Sequence, residues 1–331
     1  MLAELSINEK SSKHILIAGV GQLGTRHLQA LTYSKQSLAI FLYDVDLGAI
    51  NRALARLYEV NWDHKKHRIY FLRCLAEGPA NFDMAIVSTN ADVRLSIIDE
   101  LFATCDVKNL LLEKVLAQSV DDLQRISDAC RGSDNVFVNL PRPQMSAYKT
   151  LKSSLSNVNP SNITVEGVNW NMASNAVHYA HLINWLFGGE LISVNTDLLS
   201  SGWFECKRKG FFEVTGTLQL VFSPNTCVRL TSLDAGAVSD EINLHIDTNQ
   251  GAFQICEGKN IVISGLERDL VGKFELQSQL TGETVDNLLL NGDCDLPQLS
   301  SVVNAQALII SALKSHWESC EGYISERLPI T

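Results

Sequence analysis

The sequence predicts a doubly wound, parallel α/β domain followed by an α+β domain with a large, mostly antiparallel open sheet. Three observations support this fold class. Apolar runs alternate with helix-compatible stretches through the first half of the chain. A glycine-rich turn follows the first apolar run, and a succession of strand-like segments occupies most of the second half. With 331 residues, the chain is long enough for about two domains.

The first half contains six short apolar runs with the length of buried parallel strands. These are Ile15–Ala18, Leu38–Tyr43, Arg68–Leu72, Phe82–Ser88, Asn109–Leu112 and Val136–Leu140. The helix-like stretches between them include Ala49–Tyr58, Arg94–Ala103 and Val120–Arg131. Ligands of such sheets bind beyond the carboxyl ends of the strands. We therefore expect the functional residues of this half to follow the strands.

The first strand runs directly into a G-x-G-x-x-G turn and then into a predicted helix. Its glycines are Gly19, Gly21 and Gly24. In this arrangement the first glycine permits a tight turn, the second lets phosphate approach the backbone, and the third lets the helix pack closely on the strand. The helix N-terminus adds free N–H groups and a positive dipole end. The turn therefore predicts a site for a dinucleotide.

Asp44 ends the second strand and lies 20 positions after Gly24 (44 − 24 = 20), the offset typical of the acid that binds the adenosine ribose. Its carboxylate would accept hydrogen bonds from the ribose diol and repel a 2′-phosphate. The prediction is therefore NAD, with NADP less favoured. The alternative is that Asp44 only opens the loop after the strand.

Composition excludes several functional classes. The net charge of −10 and the absence of a basic run argue against a nucleic-acid surface. The sequence has no apolar run long enough to span a bilayer and no signal peptide within MLAELSINEK, so we expect a cytoplasmic protein without a membrane partner. The eight cysteines include no C-x-x-C pair, and no metal is predicted.

The second half predicts antiparallel strands with helices. The strand candidates are Ile163–Trp170, Leu191–Leu198, Phe212–Phe222, Thr226–Ser232, Glu241–Asp247, Ala252–Cys256 and Asn260–Ser264, and the helices are Met145–Leu155, Asn175–Phe187 and Leu299–Trp317. The domain boundary is placed near Pro141–Pro143, which gives domains at 1–140 and 141–331. We expect one sheet face to be apolar enough to form a homodimer or homotetramer.

The order of short motifs resembles that of the Gfo/Idh/MocA oxidoreductases. The motifs are the glycine turn with Arg26-His27, Asp44, Glu113-Lys114, Asn139-Leu-Pro-Arg142, and the segment from Ser174 to Gly188. The resemblance spans nearly the whole chain. It implies a Rossmann domain, a C-terminal domain with a large sheet, and hydride transfer between nicotinamide and a substrate carbon that bears a hydroxyl.

The resemblance also implies catalytic roles for Lys114 and His178. Lys114 matches the lysine of an E-K-P motif, and His178 the histidine of a D-x-x-x-H motif. Three positions depart from the family pattern. Val115 replaces the proline, often a cis-peptide position, Ser174 replaces the aspartate, and His181 replaces a second aspartate. A histidine suits the role of base for a hydroxyl proton, and a lysine ammonium suits the stabilisation of developing negative charge.

The candidate site residues fall into two sets. The cofactor set is Gly19, Gly21, Gln22, Leu23, Gly24, Asp44, Thr89, Asn90, Glu113 and Lys114; the substrate set is Arg142, Asn175, His178 and His181. Structural alternatives stay open for the second set. Arg142 can instead pair with a carboxylate, Asn175 can cap its helix, and the histidines can form internal hydrogen bonds.

The predicted function is an NAD(P)-dependent oxidoreductase acting on a sugar-like polyol or a nucleotide sugar. Two alternatives stay open. Some relatives use bound NAD for transient oxidation during glycoside cleavage or epimerisation. A protein that binds NAD without turnover would instead act as a sensor.

Overall fold

The computed structural model describes residues 12–133, 135–234, 241–265 and 268–331. The N-terminal segment MLAELSINEK, for which no signal peptide is predicted, lies outside these residues. In chain order, the first elements are β1 (Lys13–Ala18), α1 (Gln22–Leu31), β2 (Leu38–Tyr43), α2 (Leu47–Leu57), β3 (His67–Leu72), β4 (Asn81–Phe82), β5 (Met84–Val87), α3 (Ala91–Thr104), β6 (Asp106–Val107), β7 (Asn109–Leu112), α4 (Val120–Ala129), β8 (Asn135–Val138) and α5 (Ser146–Ser154). The remaining elements are β9 (Pro160–Val168), α6 (Met172–Phe187), β10 (Leu191–Glu205), β11 (Phe212–Phe222), β12 (Thr226–Leu233), β13 (Ile242–Thr248), β14 (Gly251–Glu257), β15 (Asn260–Ser264), β16 (Leu270–Lys273), α7 (Gln277–Asn291) and α8 (Leu299–Glu321).

The chain divides into two compact units that are not continuous in sequence. The first comprises residues 1–113, 124–141 and 275–299, and the second residues 114–123, 142–274 and 300–331. This differs from the predicted division at residues 140 and 141. The chain returns to the first unit because α7 packs on α1, where Gly282 lies so close to the Ala30 carbonyl that a Cβ would come within 2.6 Å of it.

The first unit contains a six-stranded sheet in the order β3-β2-β1-β5-β7-β8, and every strand pair is parallel. Its apolar core includes Ile15, Ile40 and Ile86 from the strands and Leu28 from α1, all with no exposed area. Strands β2, β5 and β7 are buried along their whole length, so their sequences read as continuous apolar runs, which is why the sequence located them closely. The edge strand β3 is partly exposed, at Arg68 and Phe71.

The second unit contains an eight-stranded sheet in the order β10-β11-β12-β9-β13-β14-β15-β16. Of the strand pairs that the structure describes in this sheet, only β12–β9 is parallel, so the predicted fold class of a parallel sheet plus a mostly antiparallel sheet is confirmed. The sequence analysis missed three elements: β6, β16 and α7. The two strands are only two and four residues long, and α7 packs partly through Thr281, Gly282 and Thr284, which form no apolar stripe.

The face of this sheet that points away from Val165 and Leu244 is more polar than the sequence analysis expected. On β9, β13 and β14 it carries Thr164, Glu166, Asn243, His245 and Gln254. Exposed apolar side chains lie on other strands, at Ile192, Leu198, Phe204, Leu233 and Val271. In the part of the chain that the structure describes, no helix is both long and apolar enough to cross a membrane.

Candidate functional site

The glycine turn between β1 and α1 is built by backbone contacts that exclude a side chain at two of its three glycines. Gly19 has a φ of +88°, and a Cβ there would lie 2.8 Å from the Thr89 nitrogen. A Cβ on Gly24 would lie 2.0 Å from the Gly19 carbonyl oxygen. Around Gly21, in contrast, no described atom lies within 4 Å of the Cβ position. Two glycines therefore serve packing, and the third faces open space.

The N-terminus of α1 begins at this open position. Gly21 is its N-cap residue, and among the described residues no side chain caps the helix or places an acidic group in its first turn. Gln22 is exposed and Leu23 is half-buried. The first N–H groups of a helix have no intrahelical acceptor, and the helix dipole makes this end positive. The backbone of Gln22 and Leu23 can therefore bind an anionic group.

Asp44, which follows β2, accepts a hydrogen bond from the backbone of the same turn. Its Oδ2 accepts a hydrogen bond from the Val20 nitrogen at 2.6 Å, and its Oδ1 accepts one from the Asp46 nitrogen at 2.8 Å. The side chain is half-buried. Asp44 therefore opens the loop after β2, as the alternative interpretation holds. Its carboxylate also keeps lone pairs that a ribose diol can use.

The end of β5 closes the other side of the turn. Ser88 Oγ donates a hydrogen bond to the Gly19 carbonyl at 2.6 Å. The Thr89 hydroxyl is buried and has no hydrogen-bond partner among the described residues. Asn90 is the N-cap residue of α3. A buried hydroxyl without a partner is rare in proteins, so Thr89 can serve a bound ligand.

Glu113, which the sequence analysis assigned to the cofactor site, lies in a closed ring of buried hydrogen bonds. His27 Nε2 donates to its carboxylate at 2.8 Å, and Asn139 Nδ2 donates to the same oxygen. The ring continues from Asn139 to Gln277 Oε1 at 2.8 Å, from Gln277 Nε2 to Thr281 Oγ1 at 2.8 Å, and back to His27 Nδ1 at 2.8 Å. The Glu113 side chain thus fixes the chain at the carboxyl end of β7.

The first unit fits a dinucleotide on the strength of these contacts. Gly21 leaves room for a phosphate, the N-terminus of α1 supplies N–H donors, and no described residue forms a hydrogen bond with the Thr89 hydroxyl. Gln22 and Leu23 would hold the pyrophosphate, and Asp44 the adenosine ribose.

Lys114 groups with the second unit and lies at the N-terminal turn of α6. Its Nζ donates to the Ser174 carbonyl at 3.1 Å and to Asn175 Oδ1 at 2.7 Å. Asn175 Nδ2 in turn donates to the Trp170 carbonyl at 2.9 Å. The Lys114–Val115 peptide bond is cis. Asn175, predicted to contact substrate, therefore holds the lysine and its own helix.

A carboxylate that the sequence analysis missed lies at the same helix end. Glu213, on β11, accepts hydrogen bonds from the Ala173 nitrogen at 2.8 Å and from the Ser174 nitrogen at 3.2 Å. Burial raises its pKa, although the hydrogen bonds from Ser174 and the charge of Lys114 act in the opposite direction. The only sequence signal was a glutamate inside an otherwise apolar strand, between Phe212 and Val214.

His178 and His181 lie one turn apart on α6 and are half-buried. His178 Nδ1 and His181 Nε2 have no hydrogen-bond partner among the described residues. Burial lowers the pKa of His178 well below its ordinary value, and the charges of Arg142 and Lys114 lower it further. Burial lowers the pKa of His181 to about 4. Both imidazoles are therefore neutral near pH 7, the form that accepts a proton.

Arg142 is engaged by a buried carboxylate, as the structural alternative in the sequence analysis proposed. Its Nε and Nη2 donate to the two oxygens of Glu257, each at 2.7 Å. The hydroxyls of Tyr148 and Tyr179 also donate to Glu257, and the guanidinium lies 4.3 Å from the centre of the Tyr179 ring. Burial alone would raise the pKa of Glu257, but the Arg142 charge and these hydrogen bonds hold it below its ordinary value.

The structure thus places the candidate residues in two groups. Gly19, Gly21, Gln22, Leu23, Gly24, Asp44, Thr89, Asn90 and Glu113 belong to the first unit, and Lys114, Arg142, Asn175, His178 and His181 to the second. Lys114, Asn175 and His178 come together around the first turns of α6.

Comparisons with known proteins reveal a shared fold. No family model and no curated protein sequence matches the chain. Among solved structures, an oxidoreductase from Agrobacterium radiobacter in complex with NAD+, L-tartaric acid and magnesium matches with a TM-score of 0.70 at 15% identity, over 93% of this chain and 97% of that one.

Two further structures show the range of proteins with this fold. The myo-inositol dehydrogenase from Lactobacillus casei, in complex with NAD(H) and myo-inositol, matches with a TM-score of 0.68 at 14% identity, over 93% of this chain and 95% of that one. The biliverdin reductase from Synechocystis, in complex with biliverdin and NADP+, matches with a TM-score of 0.67 at 12% identity, over 94% and 99%. The chain shares their fold. Because all three identities are low, the likeness concerns the fold and not the substrate.

Proposed function

We propose that this protein is an NAD(P)-dependent oxidoreductase of the Gfo/Idh/MocA type that acts on a hydroxyl of a sugar-like polyol or a nucleotide sugar. The observation that carries the proposal is the helix N-terminus of α1. It is uncapped within the described residues and begins at a glycine with open space around it. The fold shared with NAD(P)-binding oxidoreductases supports the same assignment.

We propose NAD as the preferred nucleotide because of Asp44. Its carboxylate would accept hydrogen bonds from the ribose hydroxyls, while a 2′-phosphate would meet a negative charge. The structural neighbours include both NAD+ and NADP+ complexes, so the preference rests on this residue.

The proposed chemistry uses Lys114 and His178. Nicotinamide, when bound, supplies or accepts the hydride. The neutral His178 would accept the proton of the substrate hydroxyl through its Nδ1, which forms no hydrogen bond within the described parts of the chain. The Lys114 ammonium would stabilise negative charge that develops on the same oxygen. His181, also neutral, would bind a neighbouring hydroxyl through its Nε2.

The test is a screen for NADH production with polyols, aldoses, and UDP-, GDP- and CMP-sugars. Net NADH release with one class of substrate supports the proposal. Product formation without net NADH would instead support transient oxidation by bound NAD. Tight NAD binding with no turnover across the whole panel would contradict the proposal and support a sensor.

We also propose a homodimer or homotetramer built through the large sheet of the second unit. Exposed apolar side chains on strands of this sheet support it, at Ile192, Leu198, Phe204, Leu233 and Val271. Light scattering at micromolar concentration tests it, and a stable monomer would contradict it.

A further inference from the structure

We propose that Glu213 is a positioning residue for Lys114, holding the first turn of α6 and with it the oxygen atoms that aim the lysine ammonium. The inference rests on the proposed function, because it assigns Glu213 a role in turnover through Lys114. Glu213 comes from β11, a different element from either Lys114 or α6.

Glu213 and Lys114 bind neighbouring groups of one backbone segment, the first turn of α6. The Glu213 carboxylate accepts from the nitrogens of Ala173 and Ser174. The Lys114 ammonium donates to the carbonyl of that same Ser174 and to the side chain of Asn175. Any movement of the Ser174 backbone therefore moves an acceptor of Lys114. A carboxylate that fixes Ser174 also fixes the lysine.

The Glu213 carboxylate is buried, so its charge needs compensation that an exposed helix cap would not need. Glu213 is 3% exposed, and Ser174 is 4% exposed. A buried carboxylate is costly unless hydrogen-bond donors or an opposite charge compensate it. Here the compensation comes from the Ser174 side chain, from the Lys114 charge, and from the amides of Ala173 and Ser174. The Lys114 charge therefore lowers the pKa of Glu213, against the larger effect of burial, which raises it.

A purely structural cap and a positioning residue predict different results for two conservative variants. Glu213→Gln keeps a carbonyl oxygen that can accept from the Ala173 nitrogen but removes the charge. Glu213→Asp keeps the charge with a shorter reach. If Glu213 only caps α6, Glu213→Gln should behave like the wild type. If it positions Lys114 through its charge, Glu213→Gln should lose more activity than Glu213→Asp.

The first measurement is independent of turnover. In a pH titration followed by NMR, the Ala173 and Ser174 amides of the wild type should shift as Glu213 ionises, at a pH above that of an ordinary glutamate. The Lys114 side-chain signal, assigned through its loss in Lys114→Met, should shift at the same pH. Both steps should disappear in Glu213→Gln. If the chemical shift of the Lys114 signal changes neither during the titration nor in Glu213→Gln, the inference is overturned.

The second measurement is the kinetic profile with a substrate found in the screen. Glu213→Gln should lower kcat about 10-fold or more, since small displacements of a catalytic group have effects of this size. It should leave NAD affinity within about two-fold, because Glu213 lies in the second unit. The part of the acid limb that follows the ionisation of Glu213 should vanish from the pH profile, while the part that follows His178 should remain. Glu326→Gln, the same substitution at an exposed glutamate, is the matched control.

The outcomes separate this inference from the proposed function. If the wild type turns over substrate and Glu213→Gln matches it in kcat and pH profile, the inference fails and the proposed function stands. If no substrate is turned over but the Lys114 signal follows Glu213, the proposed function fails, while the coupling of the two residues stands.

Discussion

The N-termini of α1 and α6 use the same physical property in opposite ways. Both present free N–H groups and a positive dipole end. At α1 the described chain leaves this end without a side-chain cap, beside the open position at Gly21. At α6 the free N–H groups of Ala173 and Ser174 donate to a carboxylate of the protein itself, that of Glu213.

The difference teaches which helix end is available to a ligand. An anion that approaches α1 meets backbone donors and no competing carboxylate from the first turn of the helix. An anion at α6 would have to displace a buried Glu213. We therefore propose that the cofactor binds at the end of α1, and that Lys114 and His178, beside the end of α6, stabilise charge and accept the proton.

The largest expected effects are on turnover, at the α6 end. Lys114→Met and His178→Ala should each leave NAD affinity within a few-fold, because neither residue belongs to the unit with the glycine turn. The substitution that removes the acid or base should lower kcat by roughly 10²–10⁴. Steady-state kinetics and NAD titrations measure the two effects separately. Near-normal turnover in both variants would remove the catalytic role from the α6 end.

The next effect concerns a second carboxylate at α6. The family resemblance makes Ser174→Asp a restoration of a missing acid, but Glu213 already lies at the Ser174 nitrogen. Two buried carboxylates at one helix end repel each other. Ser174→Asp should therefore lower the free energy of unfolding by about 3 kcal/mol, the scale of an uncompensated buried charge. Denaturant unfolding measures this loss, and the double variant with Glu213→Gln should recover most of it.

The same substitution should also change the pH dependence of turnover. The pKa of His178 is lowered, so its neutral form persists well below pH 6.5 in the wild type. A carboxylate at position 174 would raise that pKa. The neutral form would then be lost at a higher pH on acidification, and the acid limb of kcat should move upward. An unchanged acid limb in a folded Ser174→Asp variant would mean that His178 is not the base.

The smallest effect is expected at Asp44, beside the α1 end. Asp44→Ser should narrow the preference for NAD over NADP by about 10-fold, through loss of two hydrogen bonds to ribose and of the repulsion toward a 2′-phosphate. Because Asp44 also accepts from the Val20 nitrogen, affinity for NAD itself should fall slightly. Parallel titrations with both nucleotides measure the ratio. Tighter binding of NADP than of NAD by the wild type would contradict the assignment.

The two helix ends also differ in how much of their structure could be predicted from the sequence. The strands Leu38–Tyr43 and Asn109–Leu112 were located to the residue because their continuous apolar runs reflect burial on both faces. The glycine turn was equally visible, since its residues are consecutive. The partners of Glu213, in contrast, lie 39 and 40 positions away in sequence. The helix Gln277–Asn291 was missed because it packs partly through Thr281, Gly282 and Thr284, which form no apolar stripe.

The central claim is that the N-terminus of α1, beside Gly21, binds the pyrophosphate of the dinucleotide. A calorimetric titration of NAD into the wild type, Gly21→Ala and Glu213→Gln tests it most directly. No described atom surrounds the Cβ position of Gly21, so the alanine variant should fold with unchanged stability. Its methyl group should nevertheless obstruct the phosphate and weaken NAD binding roughly 10- to 100-fold, the scale of a clash of about 1–3 kcal/mol. Glu213→Gln should bind NAD as the wild type does. Equal NAD affinity of Gly21→Ala and the wild type, or no binding by the wild type, would contradict the account.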